Sequence, residues 1–231
     1  MTGGERAKVL ALLAVHGPDL DRLCAACVVH LPGISGAGLA VMTTLPARRV
    51  RYVSDQVGAR VEELQFTRGE GPCVDAFAAG RPVLVTDLAE GRYALRWPAF
   101  TVAAVATGVR ALFALPLQIG AIRIGVLDLY SDRPGELDGD DLADALVFAD
   151  AATLLLLAER RPDGPEWWSP TADDRRVVVY QATGMIMVQL GTTIQEAFVR
   201  LRARAFAEDR TLAEIADDVV SRRMRFDEPE V

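Results

Sequence analysis

The amino-acid sequence predicts an α+β protein in two parts. An antiparallel sheet with flanking helices comes first, and a connecting helix leads to a C-terminal three-helix bundle. Strand-like and helix-like segments alternate through the first part, and its last two strands are separated by a tight turn. Three prolines fall within residues 162–170 and cannot continue a helix. Two capping signals and a glycine stop then divide the last 57 residues into short helices.

The sheet part opens with helical periodicity at 5–15 and 19–31. Further predicted elements follow in order: strands at 36–44 and 49–54, a short helix at 61–66, a helix at 74–80 and a strand at 82–88. Two strongly apolar strands, 109–119 and 121–130, form a hairpin around Gly120. This order of hairpins and helices predicts an antiparallel sheet with helices packed on it.

A connecting helix is predicted over 138–161, with Asp138 as its N-cap. Its apolar residues are spaced by alternating steps of four and three, as in a coiled-coil seam: Leu142, Leu146, Ala149, Thr153 and Leu156. The helix either completes the sheet domain or also pairs with a second subunit. Because its leucines exceed what one packing face uses, we expect a homodimer.

The C-terminal helices are predicted near 175–190, 194–208 and 212–224. Gly191 is suited to the left-handed conformation that ends the first helix. The other two begin with a threonine followed three residues later by a glutamate, the pattern of a capping box, at Thr193 with Glu196 and at Thr211 with Glu214. The predicted domains are therefore 1–161 and 171–231, joined by a linker, 162–170, that Trp167 and Trp168 are expected to pin to a domain.

Composition restricts the class of protein. A hydrophobic content of 51% indicates a folded chain. No secretory signal is present, and the longest apolar run is broken by Asp150 and is shorter than the ~20 residues of a membrane span. Three cysteines are too few for a disulfide framework. We therefore expect a cytoplasmic protein without membrane contact.

The segment from Tyr180 to Val220 resembles ANTAR domains, the RNA-binding three-helix modules of bacterial transcription antiterminators. The resemblance rests on these positions: Ala182, Gly184, Met187, Gly191, Glu196, Ala197, Leu201, Arg202, Ala205, Leu212, Ile215 and Ala216. The family often has lysine and arginine where this chain has Thr183 and Gln189. Residues 175–225 hold nine arginines against six acids, a net +3, in a chain of net charge −7. This asymmetry is typical of a sensor joined to a nucleic-acid effector.

The resemblance implies that the bundle binds paired stem-loops overlapping a terminator and favours read-through. Loop bases would stack on Arg202 or Phe206, and Arg200 and Arg204 would contact phosphates. The complete predicted RNA-binding set is Ala182, Thr183, Gly184, Gln189, Arg200, Arg202, Arg204 and Phe206.

Residues 5–160 resemble a GAF domain, the small-molecule-sensing sheet domain of bacterial regulators. The segments RGEGPCVDAF and RWPAF look like the versions joined to ANTAR domains in actinobacteria. The helix after Pro72 offers unpaired N–H groups that could hold an anionic ligand. The predicted ligand contacts are Glu70, Cys73, Asp75 and Arg96. Cys73 is either a buried core thiol or a redox sensor.

Other site classes are disfavoured. Cys24, Cys27 and His30 have the spacing C-x2-C-x2-H, but on a helix they do not converge on one ion, so core packing is favoured over a metal site. Neither a catalytic triad nor a phosphate loop is present, and we expect no cofactor. Two alternatives stay open: a sensing module that binds protein and no RNA, and a cysteine-dependent reductase, which would require a second thiol near Cys73.

Overall fold

The computed structural model describes residues 3–42, 48–159 and 174–226. They fall into two compact units, one containing the sheet and the other the C-terminal helices. The helices are α1 (Gly3–His16), α2 (Leu20–His30), α3 (Gln56–Arg68), α4 (Pro72–Ala79), α5 (Gly91–Arg96), α6 (Pro98–Ala106), α7 (Gly139–Glu159), α8 (Asp174–Leu190), α9 (Ile194–Ala207) and α10 (Leu212–Val220). The strands are β1 (Gly36–Met42), β2 (Arg48–Val53), β3 (Val83–Val85), β4 (Ala111–Ile119) and β5 (Ile122–Ser131).

The five strands form one antiparallel sheet in the order β2-β1-β5-β4-β3. Strands β4 and β5 form the predicted hairpin, with Ile119 opposite Ile122. Gly120 has a φ of 57° in this turn, a conformation that glycine adopts without a steric cost. The long central strands β1, β5 and β4 carry the core of the unit.

Side chains on opposite faces of the sheet form two separate apolar cores, because residues of a strand alternate between its faces. On β5, Leu127 and Leu129 belong to the core that α2 and α7 cover. Val126 and Tyr130 on the same strand belong to the other core, beneath α3, α4 and α6. The second core also contains Trp97. The sheet is therefore buried on both faces.

The sequence pattern does not predict three helical segments: α5, α6 and the first part of α3. Asp55 caps α3, accepting a hydrogen bond from the backbone N of Gly58 at 2.8 Å, so the helix begins five residues before the predicted start at 61. Pro98 occupies the first turn of α6, where a missing N–H is tolerated. Apolar periodicity is weak in these helical segments, so tertiary packing determines their structure.

The connecting helix is confirmed, but its predicted seam is corrected. Asp138 is the N-cap, accepting hydrogen bonds from the backbone N atoms of Asp140 and Asp141, each at 2.9 Å. Ala149, Thr153 and Leu156 are buried in the sheet unit's own core. These three positions are therefore occupied within the domain and cannot also form an intersubunit seam.

The C-terminal unit has the three predicted helices, with two corrections. Helix α10 ends at Val220 and not at 224, because Arg222 takes a left-handed φ of 62°. Thr211 and Glu214 form the full capping box. At Thr193 only half of the box is present, because its side chain accepts a hydrogen bond from the backbone N of Glu196. Gly191 ends α8 with a φ of 60°, as predicted. The linker containing Trp167 and Trp168 lies outside the described residues.

Each helix of the unit buries one apolar stripe against the other two. The buried residues of α9 and α10 are Ala197, Phe198, Leu201, Ala205, Leu212, Ile215, Ala216 and Val219. Within the described ranges, no single helix is long and apolar enough to span a membrane. One pair, Val177–Leu190 with Ile194–Ala207, passes by length and composition alone, but it is bent by 108°.

Candidate functional site

A cluster of five polar side chains is buried between the sheet and helices α3 and α4. Arg48 on β2 forms an ion pair with Glu62 on α3. Gln65, one turn further along α3, donates to Asp128 Oδ2 on β5 at 2.7 Å. Its Oε1 accepts a hydrogen bond from the backbone N of Cys73 at 2.7 Å. All five residues are less than 5% exposed, so these polar groups depend on one another for hydrogen bonds.

The absence of a side chain at Gly38 makes room for this cluster. Gly38 lies directly opposite Asp128 in the β1–β5 ladder. A Cβ atom at position 38 would lie 2.7 Å from Glu62 Oε1, which is too close for any real contact. The Glu62 carboxyl group therefore occupies the space beside Asp128.

Protonation in the cluster follows from its burial. Burial raises the pKa of Asp128 well above its ordinary value, and the neighbouring Glu62 carboxylate raises it further, while Arg48 opposes the shift. Burial likewise raises the pKa of the Cys73 thiol, and Arg48 again opposes. The favoured state is an Arg48–Glu62 ion pair beside a neutral Asp128 acid and a neutral thiol. A neutral thiol is a poor nucleophile, which disfavours the redox interpretation of Cys73.

The other predicted ligand contacts form hydrogen bonds and ion pairs with other residues, and their role in binding a ligand stays a prediction. Glu70 Oε1 accepts hydrogen bonds from the backbone N atoms of Ala99 and Phe100 at 2.7 and 2.8 Å, and so caps the first turn of α6. Asp75 pairs with Arg96 at 2.6 Å and accepts from the indole of Trp97 at 3.2 Å. These three predicted contacts fasten α4 and the loop before it to α5 and α6.

At the anion site predicted after Pro72, the N–H of Cys73 already donates to Gln65 Oε1, so this group is not unpaired as expected. The cysteines near the N-terminus pack as predicted. Cys24 and Cys27 are buried in the core beneath α2 and α7, and burial raises the pKa of Cys24 to about 12. His30 lies 3.2 Å from Asp144, and the described residues contain no group of side chains suited to a metal ion.

Two predicted RNA contacts are buried in the C-terminal unit. Ala182 is fully buried, and Thr183 is 1% exposed with its hydroxyl donating to the Val179 carbonyl at 2.7 Å. Direct contact with RNA is incompatible with this burial, so both are corrected to packing residues. Gly184 is half-buried beside open space. Gln189 uses its side-chain oxygen to accept the backbone N–H of Phe226 at 2.9 Å, which fastens the segment after α10 to α8.

The remaining predicted RNA contacts lie on α9, on more than one side of the helix. Phe206 is 64% exposed, an unusual state for a phenylalanine. The Arg202 guanidinium lies 4.2 Å from the centre of the Phe198 ring. Arg200 and Arg204 are exposed and form ion pairs with acids four residues away on the helix or at its end. We name Val199, Arg202 and Phe206, spaced by three and four residues, the α9 face.

A family model for the GAF domain matches residues 19–156, more than half of the chain. The chain belongs to the GAF domain family. An ANTAR domain model matches residues 171–220, so the C-terminal helices form an ANTAR domain. The protein therefore has the domain architecture of a regulator, with a GAF unit joined to an ANTAR unit. The antiparallel sheet agrees with the GAF assignment. No curated protein matches the chain.

Solved GAF-type structures resemble the sheet unit at low identity. The GAF domain region of a putative membrane protein from Geobacter sulfurreducens PCA has a TM-score of 0.49 at 16% identity, covering 66% of this chain and 97% of that one. The GAF domain of an Acinetobacter phosphoenolpyruvate-protein phosphotransferase has a TM-score of 0.49 at 8% identity, covering 69% and 96%. A type II free methionine-R-sulfoxide reductase from Thermoplasma acidophilum has a TM-score of 0.43 at 16% identity, covering 68% and 96%. Likeness at this level says nothing about ligand or chemistry.

Sequence reasoning missed four members of the GAF domain's buried cluster: Arg48, Glu62, Gln65 and Asp128. One signal was present. Asp128 stands inside the apolar run of β5, where neighbouring leucines fill the opposite core. A lone acid in a strand buried on both faces needs a polar partner.

Proposed function

We propose that this protein is a cytoplasmic, signal-responsive regulator whose ANTAR domain binds paired stem-loops in nascent transcripts and so controls transcription termination. The observation that carries the proposal is the α9 face. Phe206 offers an exposed aromatic ring, and Arg202 lies beside it on the same side of the helix. Aromatic rings and guanidinium planes are the groups on which unpaired RNA bases stack.

The charge around this face supports contact with loops over contact with long duplexes. Arg200 and Arg204 lie on other sides of α9, about 120° and 160° around the helix from Phe206. Each is exposed and can reach phosphates, although each is already paired with a carboxylate. A duplex binder needs many cations along one surface, whereas a loop binder needs a few cations beside a stacking surface. The two roles predicted for these arginines and for Phe206 therefore fit together on one helix.

We further propose that the GAF domain senses a small polar ligand at the buried cluster, and not a redox state. Asp128 Oδ1 has no N–H donor among the described residues, and Arg48 and Glu62 carry opposite charges beside it. A ligand with both donors and acceptors could replace these internal hydrogen bonds. Cys73 is protonated, and Cys24 and Cys27 lie in the core on the other face of the sheet, which argues against a thiol reductase.

We also propose a homodimer that uses α7. Leu146 and Leu154 are each 39% exposed and lie eight residues apart, about 80° around the helix. Sedimentation of the full chain tests this proposal. The double variant Leu146→Glu, Leu154→Glu should be monomeric while the wild type is dimeric, and a monomeric wild type would refute it.

Binding of a tandem-hairpin RNA to the full chain tests the main proposal. Arg202→Ala and Phe206→Ala should each weaken binding by roughly tenfold, since loss of one stacking contact is worth about 1–3 kcal/mol. Arg225→Ala is the matched control, because it removes one exposed arginine outside the α9 face. Equal affinity for hairpin and scrambled RNA, unchanged by Arg202→Ala, would favour a module that binds protein and no RNA. Co-purified small molecules, identified by mass spectrometry from wild-type and Asp128→Leu protein, test the sensor.

A further inference from the structure

Two arginines of α9, Arg200 and Arg204, are both paired with carboxylates of the same module. Arg200 Nε lies 2.8 Å from Glu196 Oε1, one helical turn earlier. Arg204 pairs with Glu208, at the end of the same helix. Both arginine side chains are about half exposed, so these pairs stand at the surface where RNA phosphates would arrive.

The ion pairs continue beyond Glu208 as a chain of alternating acidic and basic side chains. Glu208 also contacts Arg210 at 3.1 Å, and Arg210 contacts Asp218 at 2.6 Å. Asp218 in turn contacts Arg223 at 2.7 Å. This network joins the end of α9 to α10 and the segment after it. Its arginines are balanced by acids, so the module presents much less positive charge than its arginine content suggests.

Exposed ion pairs four residues apart on a helix are weak, and a phosphate group can therefore displace the carboxylate. The two displaced acids would then differ. Glu208 would keep Arg210 as a partner, whereas no second partner of Glu196 is seen among the described residues. Glu196 would remain near the phosphate and repel it. Displacement at Arg200 is thus more costly than displacement at Arg204.

We propose that Glu196 and Glu208 compete with RNA phosphates for Arg200 and Arg204 and so limit how tightly the module binds RNA. This inference rests on the proposed function. Any RNA that places phosphates on these arginines must first break the two ion pairs. The carboxylates therefore lower the affinity for every such RNA, whether or not a loop base also stacks on the α9 face.

Glutamine substitutions in the full chain test the proposal. Glu196→Gln and Glu208→Gln should each raise affinity for a single-stranded RNA without hairpins by about two- to fivefold beyond a matched control, the factor that an exposed ion pair is worth. Asp209→Asn is that control. It removes the same charge one residue from Glu208, no ion pair of Asp209 is seen among the described residues, and asparagine tolerates its left-handed φ of 49°. Affinity for a tandem-hairpin RNA should rise by a similar factor, because that RNA must displace the same carboxylates.

Double variants locate the effect. In an Arg200→Ala background, Glu196→Gln should change affinity no more than Asp209→Asn does, because its arginine is gone. Thermal unfolding of each variant verifies that the bundle is folded. Glutamine variants that match Asp209→Asn, or a Glu196→Gln effect that persists without Arg200, would overturn the inference while leaving RNA binding itself intact. A wild type that binds no RNA would overturn the proposed function and this inference together.

Discussion

Replacing Asp128 with asparagine removes one ionisable group from the buried cluster and keeps its size. Burial, and then the Glu62 carboxylate, raise the pKa of Asp128 well above its ordinary value, so folding favours the protonated acid. Asparagine resembles that neutral acid. Its Oδ1 can accept from Gln65, as Asp128 Oδ2 does at 2.7 Å, and its NH2 group can donate to Glu62.

Proton linkage gives the sign of the effect. In the unfolded chain Asp128 loses its proton above about pH 3.9. In the folded protein it keeps the proton until the pH passes the raised folded-state pKa. Between these two pKa values the folded state binds about one proton more, so the wild-type free energy of unfolding falls by about 1.4 kcal/mol per pH unit. The stabilisation is complete below the lower pKa and is lost as the pH rises.

The asparagine variant lacks this contribution, so its stability relative to wild type should rise with pH, at that slope, until the pH reaches the folded-state pKa of Asp128. Urea unfolding of both proteins at pH 5, 6, 7 and 8 measures the difference and cancels the other titrating groups. Asp87→Asn serves as the control, because hydrogen bonds from Arg110 lower the pKa of Asp87 and its contribution is constant over this range. A flat difference for Asp128→Asn would refute the reasoning, since it would mean that the folded protein holds Asp128 ionised.

Three further outcomes are expected. Gly38→Ala should lower the free energy of unfolding of the GAF domain by about 1–3 kcal/mol in urea, because its Cβ would lie 2.7 Å from Glu62 Oε1; an unchanged midpoint would contradict the packing. Gly184→Ala should stabilise the ANTAR domain by up to about 1 kcal/mol in thermal unfolding, since nothing lies within 4 Å of the added atom; a lower melting temperature would contradict this. Cys73 should resist a thiol reagent until the domain unfolds, because it is buried and protonated; rapid labelling of native protein, followed by mass spectrometry, would show otherwise.

Local signals in the sequence were sufficient for the strands, the hairpin and the ANTAR helices. Gly120, Gly191 and Thr211 act through their own backbone or their nearest neighbours, so their roles can be read from adjacent residues. The buried cluster could not be read this way. Arg48 and Asp128 are 80 residues apart in sequence, and only the placement of β2, β5 and α3 brings them around Glu62.

The sequence also did not reveal which of the predicted RNA contacts are buried. Ala182 matches the ANTAR pattern and Thr183 departs from it, but both positions on α8 face the interior of the bundle. Family resemblance identifies which residues matter without saying whether they contact a partner or support those that do. Glu70 and Asp75 also have supporting contacts, because Glu70 caps α6 and Asp75 pairs with Arg96 of α5.

The alternation of β5 also makes that strand a mechanical link. Asp128 points into the polar cluster, while its neighbours Leu127 and Leu129 point into the core beneath α7. Adjacent residues of a strand move together. A ligand that displaces Asp128 must therefore also displace Leu127 and Leu129, against which α7 packs. Because α7 is the last described element before the ANTAR helices, the proposed ligand site and the core beneath that helix are joined through three consecutive residues.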